Sequence, residues 1–206
     1  MRVLEVFHTR QFTEEIDRLR AVSFSGQYPT GASRDSFDEK SYYVLVRIDG
    51  ELAVGARLTP EPLGFYASCL SDSTAIAKES DAVDFNRVHV APQYRGQGYG
   101  LVELIMLDGL LTCSALRFHW INGARPPRKR KAFFHALGFV EVGPVVQFRN
   151  ESGYTEPEQL MLLEVSRTLC ASWMRRKESV IGRLQERGFQ IEDNGGHTQA
   201  IKDVGL

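Results

Sequence analysis

The run Asp-Phe-Asn-Arg-Val-His-Val-Ala-Pro-Gln-Tyr-Arg-Gly-Gln-Gly-Tyr-Gly, from Asp84 to Gly100, limits what the chain can become more than any other stretch. Phe85, Val88 and Val90 favour a strand, and Ala91-Pro92 ends it. Arg95-Gly96-Gln97-Gly98-Tyr99-Gly100 then turns the chain into an apolar helix over 101–111. A strand, a glycine-rich turn and a helix N-terminus together make a seat for an anion. The first helical turn has N–H groups without intrahelical partners, and the helix dipole favours negative charge there. Glycine permits positive φ and a close backbone approach to a bulky group, and Arg95 adds a forked, charged donor. A dinucleotide fingerprint needs G-x-G-x-x-G, whereas Gly96, Gly98 and Gly100 give G-x-G-x-G. A Walker loop needs G-K-[ST], which is missing here.

The elements around this run read as an alternating α/β chain. A short strand fits 1–7, and Thr13 caps a helix whose Ile16, Leu19 and Val22 recur on one face. Residues 23–40 form a long polar loop, a length that often marks a lid or binding loop. Strands over 42–48 and 52–58 join at Asp49-Gly50, a hairpin signal. Residues 63–82 fit either strand or helix. Further on, a strand is expected over 116–121, a break at Asn122-Gly123, a helix over 128–137 capped by Gly138, and strands over 139–146 and 160–165. A helix over 166–186 follows, ended by Gly188, and then a loosely held tail. The natural division is 1–165 as one domain and 166–206 as a C-terminal helical extension.

The 206 residues carry a net charge of -1, so no overall field favours nucleic acid or a membrane surface. No window approaches the ~18 apolar residues of a membrane span, and no signal-peptide pattern opens the chain. Cys69, Cys113 and Cys170 are widely spaced, which suggests neither a metal site nor a disulfide framework. A cytoplasmic, metal-free protein is the expectation.

Arg95-x-x-Gly98-x-Gly100, after a strand ending Val-x-Val, resembles the acyl-CoA pyrophosphate loop of the GNAT superfamily of N-acyltransferases. Lys131-Ala-Phe-Phe-His-Ala-Leu-Gly-Phe139 is similar to that family's closing helix, and the element order agrees over about residues 2–165. The resemblance implies a mixed central sheet, splayed at the acyl-CoA cleft and flanked by helices. It also implies acetyl-CoA or another acyl-CoA as donor and a primary amine, on a small molecule or peptide, as acceptor. The implied cofactor-binding residues are Val88, Val90, Arg95, Gly96, Gln97, Gly98, Tyr99 and Gly100, with a backbone N–H near Val90 polarising the thioester. Amine attack needs a base. Asp84 is the first candidate, the alternative being a solvated aspartate or one paired with Arg87. His89 is the second; by alternation it faces away from Val88 and Val90 and shares a face with Arg87, and a core or surface histidine is the other reading.

Two features complicate this picture. The position where many family members carry a tyrosine acid is Phe134 here, leaving solvent, Tyr99, Tyr154 or His135 for the thiolate. The segments Asp17-Arg-Leu-Arg-Ala-Val-Ser-Phe24, Asp84-x-Asn-Arg87 and Gly138-Phe139 with Gly143-Pro144 also resemble the acyl-homoserine-lactone and N-acyl amino acid synthases, which share the fold. That branch implies acyl carrier protein as a partner. A catalytically silent acyl-CoA-binding module is a third reading. The basic run Arg125, Arg128, Lys129, Arg130 and Lys131 lacks interleaved aromatics, which argues against nucleic acid. It suits a solvated helix face, the ribose phosphate of coenzyme A or an acidic carrier protein. The apolar face of the helix over 166–186 is a candidate homodimer surface.

Overall fold

A computed structural model of the chain describes residues 1–24, 34–60, 81–125, 127, 130–149 and 155–193, without the side chains of 148, 149, 155 and 156. Cys69, Tyr154, Arg128, Lys129, Gly195-Gly196 and most of 63–82 lie outside the described residues. The element order is β1 (Arg2–Thr9), α1 (Glu14–Ser23), β2 (Tyr42–Ile48), β3 (Glu51–Pro60), β4 (Ala82–Val90), α2 (Leu101–Ala115), β5 (Trp120–Arg125), α3 (Lys131–Leu137), β6 (Val140–Arg149), β7 (Thr155–Glu164), α4 (Arg167–Glu186) and β8 (Phe189–Asp193), with short 3-10 turns at Asp38–Lys40 and Pro92–Tyr94. The strands form one mixed sheet in the order β6-β7-β5-β4-β3-β2-β1-β8.

Local chemistry explains most boundaries. The Thr13 side chain accepts from the Ile16 N–H at 3.3 Å, and Glu14, Glu15 and Asp17 sit in the first turn of α1. Ile16 and Leu19 are buried, but Val22 is exposed, so the apolar face is narrower than its spacing suggests. Asp49 and Gly50 both have positive φ, 54° and 84°, which the tight β2–β3 hairpin requires. Period-two alternation sends Val44 and Val46 to the main core and Tyr43 and Leu45 to a second cluster beneath Ile16 and Leu19 of α1. Helix α2 is buried on nearly every side, as its all-round apolar sequence demands.

Four sequence expectations need correction. The strand expected over 116–121 is Trp120–Arg125: Leu116 caps α2, and Arg117 takes φ 65°, so extended structure starts later. Asn122-Gly123 is consequently no break. It lies inside β5, where Asn122 pairs with Asp84 on one side and Leu162 on the other, and flanking strands override its turn propensity. Helix α3 starts at Lys131, because Arg130 sits at φ 59° and cannot continue a right-handed helix backwards.

The fourth correction concerns the C-terminus. Phe189–Asp193 is not a loose tail but β8, which pairs parallel with β1 from Arg2 to Val6. Five residues are too few for a period-two signal to stand out. Helix α4 is capped by Ser166, and its Trp173, Val180 and Leu184 join the main core, with the Trp173 indole donating to the Leu137 carbonyl at 2.9 Å. The face considered for a partner copy is thus already covered within the chain. Lys177 reinforces the joint: buried, it donates to Asp108 of α2 at 2.5 Å and to Asp193 of β8 at 2.8 Å. Burial lowers its pKa, but Asp108 and Asp193 together outweigh this and hold it above the ordinary lysine value.

Candidate functional site

The sheet opens where the glycine-rich turn begins. Strands β4 and β5 pair in parallel only at Ala82–Trp120, Val83–Ile121 and Asp84–Asn122. Beyond Asp84, β4 continues along β3 on its other side as far as the Val90–Val54 pair. The Ala91 N–H donates to the Ala53 carbonyl at 2.8 Å, which fixes the parity of the ladder. The N–H groups of Val88 and Val90 therefore point away from β3, into the gap. A cleft of about 570 Å³ lies along this open stretch of β4 and is lined by Val88, His89, Val90, Arg95, Gly96, Gly98, Tyr99, Gly100 and Arg130, among others. Of the cofactor-binding residues expected from sequence, all but Gln97 line the cleft. Its floor is the turn itself. Gly96, Gly98 and Gly100 take φ of 70°, 66° and 74° and alternate with residues of negative φ, an arrangement that converges backbone N–H groups on one side.

Arg95 is committed elsewhere than expected. Its Nε donates to the Val90 carbonyl at 2.9 Å and its Nη2 to the Ser23 carbonyl at 2.5 Å, so it ties the end of α1 to the end of β4. Ser23 Oγ donates to the same Val90 carbonyl at 3.2 Å. Arg130 also lines the cleft. The rest of the basic run behaves differently. Arg125 is buried and bound to the Pro127 carbonyl and Glu141, and Lys131 pairs with Glu141 at 3.1 Å.

A bulge interrupts β4 just before His89. Asn86 opposes Arg57 and His89 opposes Gly55, so one extra residue sits on β4, and Arg87 takes φ 53° there. His89 nevertheless faces away from Val88 and Val90, as alternation predicts: those two pack against the main core, whereas His89 lies with Arg87 beside the Phe24 ring on the α1 side, and all three of Val88, His89 and Val90 contribute to the cleft lining. It is 5% exposed, with its ring against Gly55 and 5.5 Å from that of Phe24. Burial pushes its pKa down to about 3; a hydrogen bond to the Arg87 carbonyl opposes this, and the charges of Arg20, Arg87 and Arg95 add to it. The imidazole is neutral at neutral pH.

Asp84 is 6% exposed and stands at the last paired position before the split, between Thr59 of β3 and Asn122 of β5. At ~3.3 Å rise per residue it lies roughly 13 Å along the strand from Val88 and roughly 20 Å from Val90. It does not line the cleft, whose first β4 residue is Val88. Phe134 packs edge-on against Phe139 at 5.4 Å, and Tyr99 rests edge-on against Phe189 at 5.2 Å. His135 is exposed. Cys113 is fully buried, its thiol pKa pushed up by burial, and Cys170 lies outside the cleft lining.

Sequence reasoning missed a buried ionic network on the α1 side of β4. Asp38, fully buried, accepts from Arg20 at 2.7 Å, Arg57 at 2.9 Å and the Tyr43 hydroxyl at 2.7 Å. Asp35 accepts from Arg57 at 2.5 Å and Arg87 at 2.8 Å, and Arg57 also donates to Asn86 at 2.8 Å. Burial alone raises both carboxyl pKa values. The neighbouring arginines outweigh it, Arg57 foremost at Asp35 and Arg20 foremost at Asp38, and hold both below the ordinary aspartate value. The network fastens the 34–40 segment to the bulged strand. Its sequence signal was present: Arg57 is a lone charge in the apolar run Leu-Ala-Val-Gly-Ala-Arg-Leu, and Asp35-x-x-Asp38 is the matching acidic pair.

The fold matches that of solved acyltransferases. Over 100% of both chains the protein superposes on a CoA-dependent acyl-homoserine lactone synthase, BjaI, solved with SAM and isopentyl-CoA, at TM-score 0.65 and 16% identity. Escherichia coli ElaA matches at TM-score 0.56 and 20% identity, over 80% of this chain and 100% of that one. A Bacillus subtilis acetyltransferase in complex with CoA matches at TM-score 0.55 and 11% identity, over 79% of this chain and 99% of that one. No protein-family model and no curated protein matches the chain. Among the described residues there is no cluster suited to a metal ion, and no helix is long and apolar enough to cross a membrane.

Proposed function

We propose that this GNAT-fold chain is an N-acyltransferase that moves an acyl group from acyl-CoA, acetyl-CoA being the simplest donor, directly to a primary amine. The observation that carries this reading is the split between β4 and β5, with the Val88 and Val90 N–H groups turned into the gap beside a glycine loop of alternating φ. The loop takes the pyrophosphate, the strand edge takes the pantetheine arm, and a strand N–H polarises the thioester carbonyl. The amine nitrogen attacks the carbonyl carbon, the C–S bond breaks, and the ammonium proton passes to a base while the thiolate takes a proton from water. Direct transfer is favoured because the described cleft lining contains no thiol, and its Ser23 hydroxyl is donated to the Val90 carbonyl. Asp84 remains the first candidate base, but at roughly 13 Å along the strand from Val88 it takes the ammonium proton through a chain of waters rather than directly. His89, with its pKa near 3, is a weaker candidate and is better suited to supporting the bulge.

A second reading, an N-acyl amino acid or acyl-homoserine-lactone type of synthase, is favoured by one observation. The likeness to BjaI runs through α4 and β8, whereas the other two matches cover about four fifths of the chain. Thiol release from CoA thioesters of two to twelve carbons, and from acyl carrier protein, distinguishes the two readings. The acceptor panel comprises simple amines, amino acids, short peptides and S-adenosylmethionine. Turnover with acetyl-CoA and a simple or peptide amine supports the first reading, and turnover only with longer acyl donors and an amino-acid-like acceptor supports the second. CoA binding without turnover in any combination leaves a binding module. Asp84→Asn is expected to abolish turnover while leaving CoA affinity unchanged, and unchanged turnover removes Asp84 as the base.

A further inference from the structure

The C-terminal helix supplies no group to the floor of the cleft, yet its last turn grips the glycine loop from behind. Arg187, the residue that closes α4, donates from Nη1 to the Gly98 carbonyl at 2.5 Å and, at the limit of hydrogen bonding, to the Gln97 carbonyl at 3.5 Å. Its guanidinium lies 5.9 Å from the centre of the Tyr99 ring, which itself rests edge-on against Phe189 of β8. Two further arginines of α4 act on the start of α2. Arg176 at 2.5 Å and Arg183 at 3.0 Å both bind Glu103, the acidic residue in the first turn of α2.

These contacts bear on the anion seat through simple peptide geometry. The Gln97 carbonyl shares a planar peptide unit with the Gly98 N–H, and the Gly98 carbonyl shares one with the Tyr99 N–H. In a trans peptide the two groups point in opposite directions. A cation that fixes the carbonyls on the outer side of the loop therefore aims the N–H groups inward. Glycine makes the turn possible, but it also makes the turn easily deformed, since Gly96 and Gly98 each have several backbone conformations open to them. Glu103 would oppose an anion at the α2 N-terminus, and its pairing with two arginines offsets that charge.

We infer that Arg187 is a positioning residue for the pyrophosphate of the donor, acting through the Gln97–Gly98–Tyr99 backbone, and that Arg176 and Arg183 support it by neutralising Glu103. The donor site thus needs the chain beyond residue 166. This rests on the acyl-CoA reading of the cleft and assigns it a role for residues that no part of the loop motif includes.

The test is isothermal titration of the full chain and of Arg187→Gln and Arg187→Lys with CoA, and with pantetheine by competition; pantetheine lacks the pyrophosphate. Loss of a charge-assisted hydrogen bond that orders the loop is expected to weaken CoA about tenfold in Arg187→Gln. Pantetheine affinity should stay within about twofold and the melting temperature nearly unchanged, because an exposed side chain at a helix end carries little of the fold. Arg187→Lys, which keeps the charge, should recover part of the loss. CoA affinity unchanged in Arg187→Gln, or pantetheine weakened as much as CoA, overturns the inference while leaving the cleft assignment intact. A wild-type chain that binds no CoA overturns both.

Discussion

Asp38→Asn tests the buried ionic network with little change of shape. Asp38 is fully buried, and its Oδ1 accepts from Arg20, Arg57 and Tyr43 at 2.7–2.9 Å. Its Oδ2 accepts from the Asp35 N–H at 2.9 Å. Asparagine keeps the volume and one acceptor but removes the charge, and an NH2 group at the Oδ2 position faces the Asp35 N–H, donor against donor. Three arginines, Arg20, Arg57 and Arg87, would then share Asp35 as the remaining network carboxylate. Truncating one side of a buried ion pair costs about 3–5 kcal/mol, a large part of the roughly 5–15 kcal/mol that holds a domain folded. With a urea m-value of about 2–3 kcal/mol/M, the midpoint should fall by roughly 1–2.5 M. Arg34→Gln is the internal control. Arg34 and Glu39 form a 3.0 Å pair with 58% and 76% exposed side chains, worth no more than about 0.5 kcal/mol after solvent screening.

The pH dependence has a definite sign. Asp35 and Asp38 both have folded pKa values held below the unfolded one, so the unfolded chain binds more protons in acid. Their contribution is complete above the ordinary aspartate value near 4 and is lost as pH falls through the lower folded values. Asp38→Asn should therefore flatten the acid limb of the stability curve. A midpoint shift no larger than that of Arg34→Gln, or an unchanged acid limb, would refute the reasoning.

Three further outcomes follow from individual contacts. Gly55→Ala should lower stability by about 1–3 kcal/mol in urea unfolding, because its Cβ meets the His89 ring at 2.7 Å, and Gly55→Ala with His89→Ala should recover part of the loss. The His89 ring proton should show no NMR titration between pH 5 and 8, consistent with a pKa near 3; since the unfolded imidazole takes its proton near 6.5, this residue costs stability as pH falls from there towards 3. Lys177→Met should destabilise by about 3 kcal/mol, since it leaves Asp108 buried with one cation fewer, and should raise amide exchange in Phe189–Asp193 first.

The parts of this architecture that are written in short-range chemistry were legible in the sequence. Thr13, Asp49-Gly50, Gly138 and the Arg95–Gly100 turn each stand where a local rule places them. What escaped depended on partners distant in sequence. Asn122-Gly123 reads as a turn until β4 and β7 flank it. Arg87 looks like an alternating strand residue until Arg57 and Gly55 define the bulge around it. Five residues of β8 mean little without β1 beside them. The cleft was legible because strand, turn and helix are contiguous. The Arg20–Asp38–Arg57–Asp35–Arg87 network was not, because it joins four separate segments and shows in the sequence only as charges in unexpected places.

The account rests most heavily on an acyl-CoA lying between the split strands, and backbone amide shifts on titration with CoA test that placement residue by residue. Saturable shifts at Val88, Val90, Gly96, Gly98, Tyr99 and Gly100, with none around His8 and Lys177 on the far joint, are the predicted result. No shift at millimolar CoA, or shifts confined to residues outside the cleft, would contradict it.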